Sequence, residues 1–240
     1  MAAVAPPWTR GLSLSWRPAL RFYERRFEIL RTLDDAGVLA AFKVEEDEID
    51  ARLTGGHQLS VDSDGLRLDL FGQGADPDPT WEHVEMVSAR IEPKQIRSTT
   101  TRFQHVIALD LSFADAIAAC RERLFPMPAL ADVSYQDFAL LVDFAGTDDM
   151  NAQAEFGVIR AHEVPARLSR RAGRMGAPGP VAGPPWEPKD FGEVSLFVDS
   201  RWRLGKAVDR EDVHDLKAFW DLTCNRATEF ADALYETIIK

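Results

Sequence analysis

Apolar and polar positions first alternate regularly at Leu12, Leu14 and Trp16, separated by Ser13 and Ser15. A period of two predicts a short strand. The period then lengthens. Pro18 suits a first helical turn, and Leu20, Tyr23, Phe27, Leu30 and Leu33 recur at three and four. These five are expected to form the buried stripe of a helix that ends or kinks at Gly37. The acidic run 43–50 opens a region of short alternations. Ile49, Ala51 and Leu53 alternate with Asp50 and Arg52, Leu59 and Val61 follow Thr54-Gly55-Gly56, and Leu66, Leu68 and Leu70 alternate with Arg67 and Asp69. The Asp64-Gly65 dipeptide is a hairpin signal, so 48–71 reads as a three-stranded meander with one dry and one wet face.

Residues 72–80 read as a loop. Two longer strands are expected at 82–92 and 98–111 with Pro93 near their turn. The second ends in HVIALDL, apolar on both parities, which places it centrally in a sheet. Ser112 and Asp115 have the spacing of a capping box. They open a helix whose stripe is Phe113, Ala116, Ile117, Cys120 and Leu124, ended by Pro126 and Pro128. Strands are expected at 134–145 and 153–161, and again where Val194, Leu196 and Val198 alternate with Ser195, Phe197, Asp199 and Arg201. Between them, residues 175–188 hold five Pro and three Gly, so 172–190 reads as a loop without regular structure. Last comes a long helix. Asp209 is its expected N-cap, Val208 and Val213 have the spacing of a hydrophobic staple, and Val213, Leu216, Trp220, Cys224, Ala227, Phe230, Leu234 and Ile238 form its stripe.

Helices separated by runs of antiparallel strands predict an α+β fold: antiparallel sheet, about three main helices on one face, and a long C-terminal helix. Residues 1–240 read as one domain, with two loosely similar halves at about 1–130 and 131–240 as a topological possibility. In element order the chain resembles a sporadically distributed family of uncharacterised bacterial proteins of similar length. The features that carry the resemblance are the opening strand and helix, the central hairpin running into FADAIAACRERL, the strand SYQDFALLVDF, and the LFVD strand that feeds the C-terminal helix. That family's middle strand tends to end Arg-Tyr-Asn, where this chain has Val142-Asp143-Phe144. The resemblance implies a fold and supplies no catalytic residues.

The chain has 240 residues, 28 Lys+Arg against 39 Asp+Glu, and a formal net charge of −11. That length supports a substantial core without disulfides or metals, and no apolar run approaches the ~20 residues of a membrane span. The acidic balance argues against coating a nucleic acid with the whole surface. MAAVAPPWTR lacks the basic start and continuous apolar run of a secretory signal, so a cytoplasmic location is expected. Cys120 and Cys224 both fall on apolar helix faces, the setting of buried thiols.

Few motifs point to chemistry. No phosphate loop, GxSxG, HExxH or CxxC occurs, and no cofactor or metal is expected. His83 and Glu85 would share a face if 82–92 is a strand. His105 shares a parity with Phe103, Ile107 and Leu109, the usual pattern of a core histidine. On the wet parity of their strands lie Asp50, Arg52, Arg67, Asp69, Asp137, Asp143, Asp199 and Arg201. Of these, Asp137, Asp143 and Arg201 are candidate ligand contacts. Two basic islands stand out. Residues 17–31 carry Arg17, Arg21, Arg25, Arg26 and Arg31 against Glu24 and Glu28; residues 160–174 carry Arg160, Arg167, Arg170, Arg171 and Arg174 against Glu163.

The expectation is a non-catalytic binding or assembly subunit, with a homodimer through the sheet or the terminal helix as one form of it. It would dock a protein partner through the Arg-rich and Pro-rich segment 160–188, with Arg160, His162, Arg167, Arg170, Arg171, Arg174 and Trp186 as contacts. One alternative is a nucleic-acid-binding accessory protein using both Arg islands. The other is a small-molecule binder or enzyme using the polar sheet face.

Overall fold

The computed structural model describes residues 6–73, 78–124, 138–144, 149–168 and 186–239. Ten strands form one sheet in the order β2-β3-β4-β5-β1-β6-β9-β8-β7, with a short β10 also paired to β6; every pairing is antiparallel. The first part of the chain supplies β1 (Thr9–Trp16), α1 (Arg21–Asp35), β2 (Leu39–Val44), β3 (Glu48–Leu53), β4 (Gln58–Asp62), β5 (Gly65–Phe71) and α2 (Asp78–Ile91). The second supplies β6 (Gln95–Ala108), α3 (Phe113–Leu124), β7 (Phe138–Phe144), β8 (Met150–Arg160), α4 (Val164–Leu168), β9 (Val194–Leu204), β10 (Val208–Asp209) and α5 (Val213–Ile239). The fold is α+β, as the alternation of helices with antiparallel runs predicts. Strand β1 and strand β6 each lead into a helix, and they pair with each other at the middle of the sheet. On each side a meander folds back so that its last strand, β5 or β9, lies beside its first.

Helices α1, α2, α3 and α5 cover one face. Leu12, Leu14 and Trp16 of β1 join the inward residues of β3–β5, with Phe22, Ile29 and Leu33 of α1 and Val84, Val87 and Ile91 of α2. Burying each such large apolar side chain stabilises the fold by roughly 1.5–3 kcal/mol. A second cluster gathers Ala116, Ile117 and Cys120 of α3 with Phe156, Val158, Leu196 and Val198. Helix α5 joins the two: Leu216, Trp220 and Ala227 pack in the first cluster, and Ala231, Leu234 and Ile238 in the second. One polar link to β6 is a buried Thr101–Thr223 hydroxyl pair at 2.9 Å, beside Phe103 edge-on to Trp220. A third, smaller cluster sits on the opposite face. There Val106, Ile159 and Phe197 meet Val164 and Leu168 of α4, with Trp8, Trp186 and Phe191 against them. The apolar residues on both parities of HVIALDL are thus consumed by two separate cores.

Several local expectations are corrected. Residues 82–92 are not a strand but most of α2, because Trp81, Val84, Val87, Ser88 and Ile91 bury at helical spacing. The helix begins at Asp78, inside the expected loop 72–80. His83 and Glu85, two positions apart on a helix, do not share a face. The buried stripe of α1 is Phe22, Ile29, Leu30 and Leu33, not the stripe read from Leu20. Leu20, Tyr23 and Phe27 are 76%, 45% and 64% exposed, since the helix carries two apolar stripes and only one can face the sheet. Gly37 stops α1 with φ +71°, closed by Gly37 N–H to Asp34 O and Val38 N–H to Leu33 O, a Schellman motif. An unexpected edge strand, β2, then follows. Finally, Asp209 precedes a 3-10 turn (Arg210–Asp212) rather than α5 itself and makes no side-chain cap; its carboxylate accepts from Gln95 at 3.2 Å. Ser112 caps α3 as expected, Asp115 N–H donating to Ser112 Oγ at 3.2 Å, while the Ser112 hydroxyl, not its backbone N–H, donates to the Asp115 carboxylate at 2.6 Å. The proposed proline stop of α3 and residues 134–137 lie outside the described residues, as does most of 172–190.

Candidate functional site

Two arrangements bring charged side chains together. The first is the sheet face opposite the four helices. Register sets its rows. In one, Arg52, Gln58, Asp69, Gly11, Arg102, Arg201, Gln153 and Asp143 lie side by side from β3 to β7. In the row beyond, Thr9, Gln104, Asp199 and Glu155 are neighbours. At the centre Arg102 donates to both carboxylate oxygens of Asp199, at 2.8 and 2.5 Å. Both side chains are largely buried. Burial works against the Arg102 charge, but the Asp199 carboxylate outweighs it and raises the guanidinium pKa. Arg201 reaches the same Asp199 at 3.7 Å. Gln104 completes the knot: its amide oxygen accepts from Arg102 while its nitrogen donates to Thr9 Oγ1 at 2.6 Å and the Leu168 carbonyl at 3.3 Å. Around it, Arg67 forks onto Asp69 at 2.8 and 3.1 Å, Gln153 donates to Asp143 at 2.8 Å, and Ser60 donates to Asp50 at 2.5 Å.

The described part of the 160–188 segment borders this face and is engaged with its own chain. The Arg160 guanidinium lies 3.6 Å from the centre of the Phe113 ring. His162 is exposed in the turn before α4. Arg167 pairs with Glu155 at 2.7 Å, and Leu168 is buried. Trp186 stands edge-on to both Trp8 and Phe71. Arg170, Arg171 and Arg174, like Asp137, lie outside the described residues. Asp143 and Arg201 do share one row of the open face, with Gln153 between them.

The second arrangement is a cleft of about 750 Å³ at the other end of the central strand pair. Arg17 to Arg21, Ile91 to Gln95, Arg97 and Asp209 line it. Glu92 ends α2 at φ +52°, where the last carbonyls of a helix repel a carboxylate. Arginines hold it there: Arg21 pairs closely with Glu92, and Arg25 and Arg210 lie 3.6 and 3.4 Å from it. Of the first Arg island, Arg17 and Arg21 line this cleft, and Arg25 adjoins it through Glu92. Arg26 instead donates to the Glu45 and Glu46 carbonyls of the β2–β3 turn, its guanidinium 5.3 Å from the Phe27 ring centre. Sequence reasoning missed Glu92, Lys94, Arg97 and Arg210, because reading 82–92 as a strand hid the helix end that aims Glu92 at α1.

Both cysteines and three of the five histidines are shifted by burial, while His162 and His214 are exposed. Burial pushes the Cys120 thiol up to about 11 and raises Cys224 as well. His105 is inside the α5–β6 contact, 3.4 Å from Thr228 Oγ1, and burial aided by Arg10 lowers it to about 4. Burial also lowers His57 and His83. Among the described residues no three His, Cys, Asp or Glu side chains are grouped to hold a metal ion, and no helix is long and apolar enough to cross a membrane. No protein-family model matches the chain, and no curated protein matches it either.

Proposed function

We propose that this protein acts by binding, as an assembly or accessory subunit, and that a protein partner docks at the α1–β2 edge. The observation that carries the reading is the outward stripe Leu20, Tyr23 and Phe27 of α1, together with Phe42 of the adjoining edge strand, which is 58% exposed. Four large apolar side chains on adjacent elements are the usual mark of an interaction surface. The edge strand beside them presents unpaired backbone groups, a second means of capture. Arg31 flanks the stripe one turn beyond Phe27, so the fitting partner is a segment with apolar anchors and a carboxylate beside them. The shielded thiols and the neutral, enclosed His105 favour this reading over a catalytic one. The test compares pull-downs of the tagged chain and its Tyr23→Asp/Phe27→Asp variant, with light scattering on both. A stoichiometric partner lost in the variant supports the reading; a partner retained in the variant overturns it, and a dimer that the variant dissolves would identify a second copy as the occupant.

The segment 160–188 is the second docking element. Its two described ends, at Leu168 and Trp186, are both pinned to the open sheet face. Deleting 172–185 is expected to leave the fold intact and remove the partner; full partner binding after the deletion restricts docking to α1–β2.

A further inference from the structure

The cleft between the start of α1 and the end of α2 is electrically unlike the rest of the molecule. In a chain of net charge −11, the cleft is lined by Arg17, Arg21, Lys94 and Arg97 against two carboxylates, Glu92 and Asp209, and Arg25 and Arg210 reach Glu92 from outside the lining. Three of these cations share Glu92 alone. Among the described residues no carboxylate lies within ion-pair distance of Arg17, Lys94 or Arg97, and Asp209 is engaged by Gln95. Arg17, Lys94 and Arg97 are exposed, and cations gathered at one cleft raise a local positive potential that attracts an anion. The 15-residue helix α1 adds to it. Its N-cap residue Leu20 supplies no side-chain cap, so the positive end of the helix dipole faces the same space. The remaining wall is apolar, made by Pro18, Leu20, Ile91 and Pro93.

We propose that this cleft is a binding site for a small ligand carrying two or more phosphate groups on an apolar or planar body, the chemistry of a nucleoside di- or triphosphate. The phosphates replace Glu92 as the anion that Arg21, Arg25 and Arg210 converge on, and Arg17, Lys94 and Arg97 complete the neutralisation. The body lies on Pro18, Leu20 and Pro93. Glu92 then acts as a resident counter-ion that holds the arginines in place and competes with the ligand. This makes a prediction opposite in sign to ordinary site mutagenesis: removing a charged residue of the site improves binding.

The experiment is calorimetric titration of the full chain at low salt with pyrophosphate and with ATP. The variants are Glu92→Gln, Arg21→Ala/Lys94→Ala, and the control Arg203→Ala on the opposite sheet face; thermal melting confirms that each folds. Both probes are expected to bind wild type, ATP more tightly than pyrophosphate because only ATP uses the apolar wall. Glu92→Gln should strengthen binding several-fold. The double variant should weaken it by about tenfold or more, the effect of losing one or more charge-assisted contacts. Arg203→Ala should leave it unchanged. Raising the salt should weaken every case. No binding of either probe to wild type and to Glu92→Gln overturns the proposal. So does equal affinity in wild type and the double variant, or binding of an oligonucleotide by a chain that takes neither small probe.

Discussion

Arginine serves two opposite purposes on the two sides of the central strand pair. On the open sheet face, Arg67, Arg102 and Arg167 pair respectively with Asp69, Asp199 and Glu155, and the charges close locally. In the cleft at the far end, three arginines lean on one carboxylate. The residue types are the same, and both regions look like basic islands or wet strands in the linear chain. What separates them is stoichiometry and burial. The balanced face contributes to holding the sheet together, and the unbalanced cleft is left able to take an anion. If that contrast is sound, damage to the first should appear as lost stability, and damage to the second as altered binding with little change in stability.

The largest effect is expected at Asp199. Its side chain is 5% exposed and that of Arg102 12%, so Asp199→Ala strands a buried guanidinium, a defect that costs about 3–5 kcal/mol. Urea unfolding should read this loss, and Asp199→Ala/Arg102→Leu should recover part of it. A loss below about 1 kcal/mol, the worth of a surface pair, would erase the distinction between the two regions.

Next comes His105, which extends the argument from paired to neutral buried groups. Burial lowers its pKa from the ordinary 6.5 to about 4. The unfolded chain therefore binds a proton more readily, and the stabilising contribution is complete above pH 6.5. It is lost as pH falls from 6.5 through 4, by a total of about 3 kcal/mol. Stability curves across that window should be steeper for the wild type than for His105→Leu. Equal slopes would mean that His105 does not titrate from a buried state.

Much of this was legible in the sequence, and the failures have a common cause. The meander β3–β5, the α3 cap and the stripe of α5 each carry a single period, so only one face can be dry. The wet parity of Asp50, Arg67, Asp69, Asp143, Asp199 and Arg201 placed all six on the open face before any register was known. Where a segment carries two periods, the reading failed. In α2, Val84 and Met86 alternate with His83 and Glu85, as a strand would, while Trp81, Val84, Val87 and Ile91 follow a helix. In α1, Leu20, Tyr23 and Phe27 form as regular a stripe as Phe22, Ile29 and Leu33. Only packing against the sheet decides between such alternatives, and periodicity contains no information about which stripe it chooses. The cleft was illegible for a related reason. Its cations come from the β1–α1 connection, α1, the α2–β6 turn, β6 and the turn before α5, and nothing local announces that these meet.

The smallest stability effect is expected at Glu92, and it tests the comparison from the other side. Its three partners, Arg21, Arg25 and Arg210, are half-exposed, so each pair is worth at most about 1 kcal/mol and is weakened by salt. Part of that is offset, because Glu92→Gln also removes a carboxylate from the negative end of α2. Net stability should therefore change by less than about 1 kcal/mol, far less than at Asp199, although Glu92 has more cationic neighbours. The sign should depend on salt. At low salt the variant should be slightly less stable, since the arginines lose their shared counter-ion and repel one another, and at high salt the difference should vanish. Adding pyrophosphate at low salt should stabilise Glu92→Gln more than the wild type, because stabilisation by a ligand increases with the logarithm of its affinity for the folded state. A loss at Glu92 as large as that at Asp199 would make the cleft another structural ion-pair knot, with its cations committed to the fold rather than to a ligand.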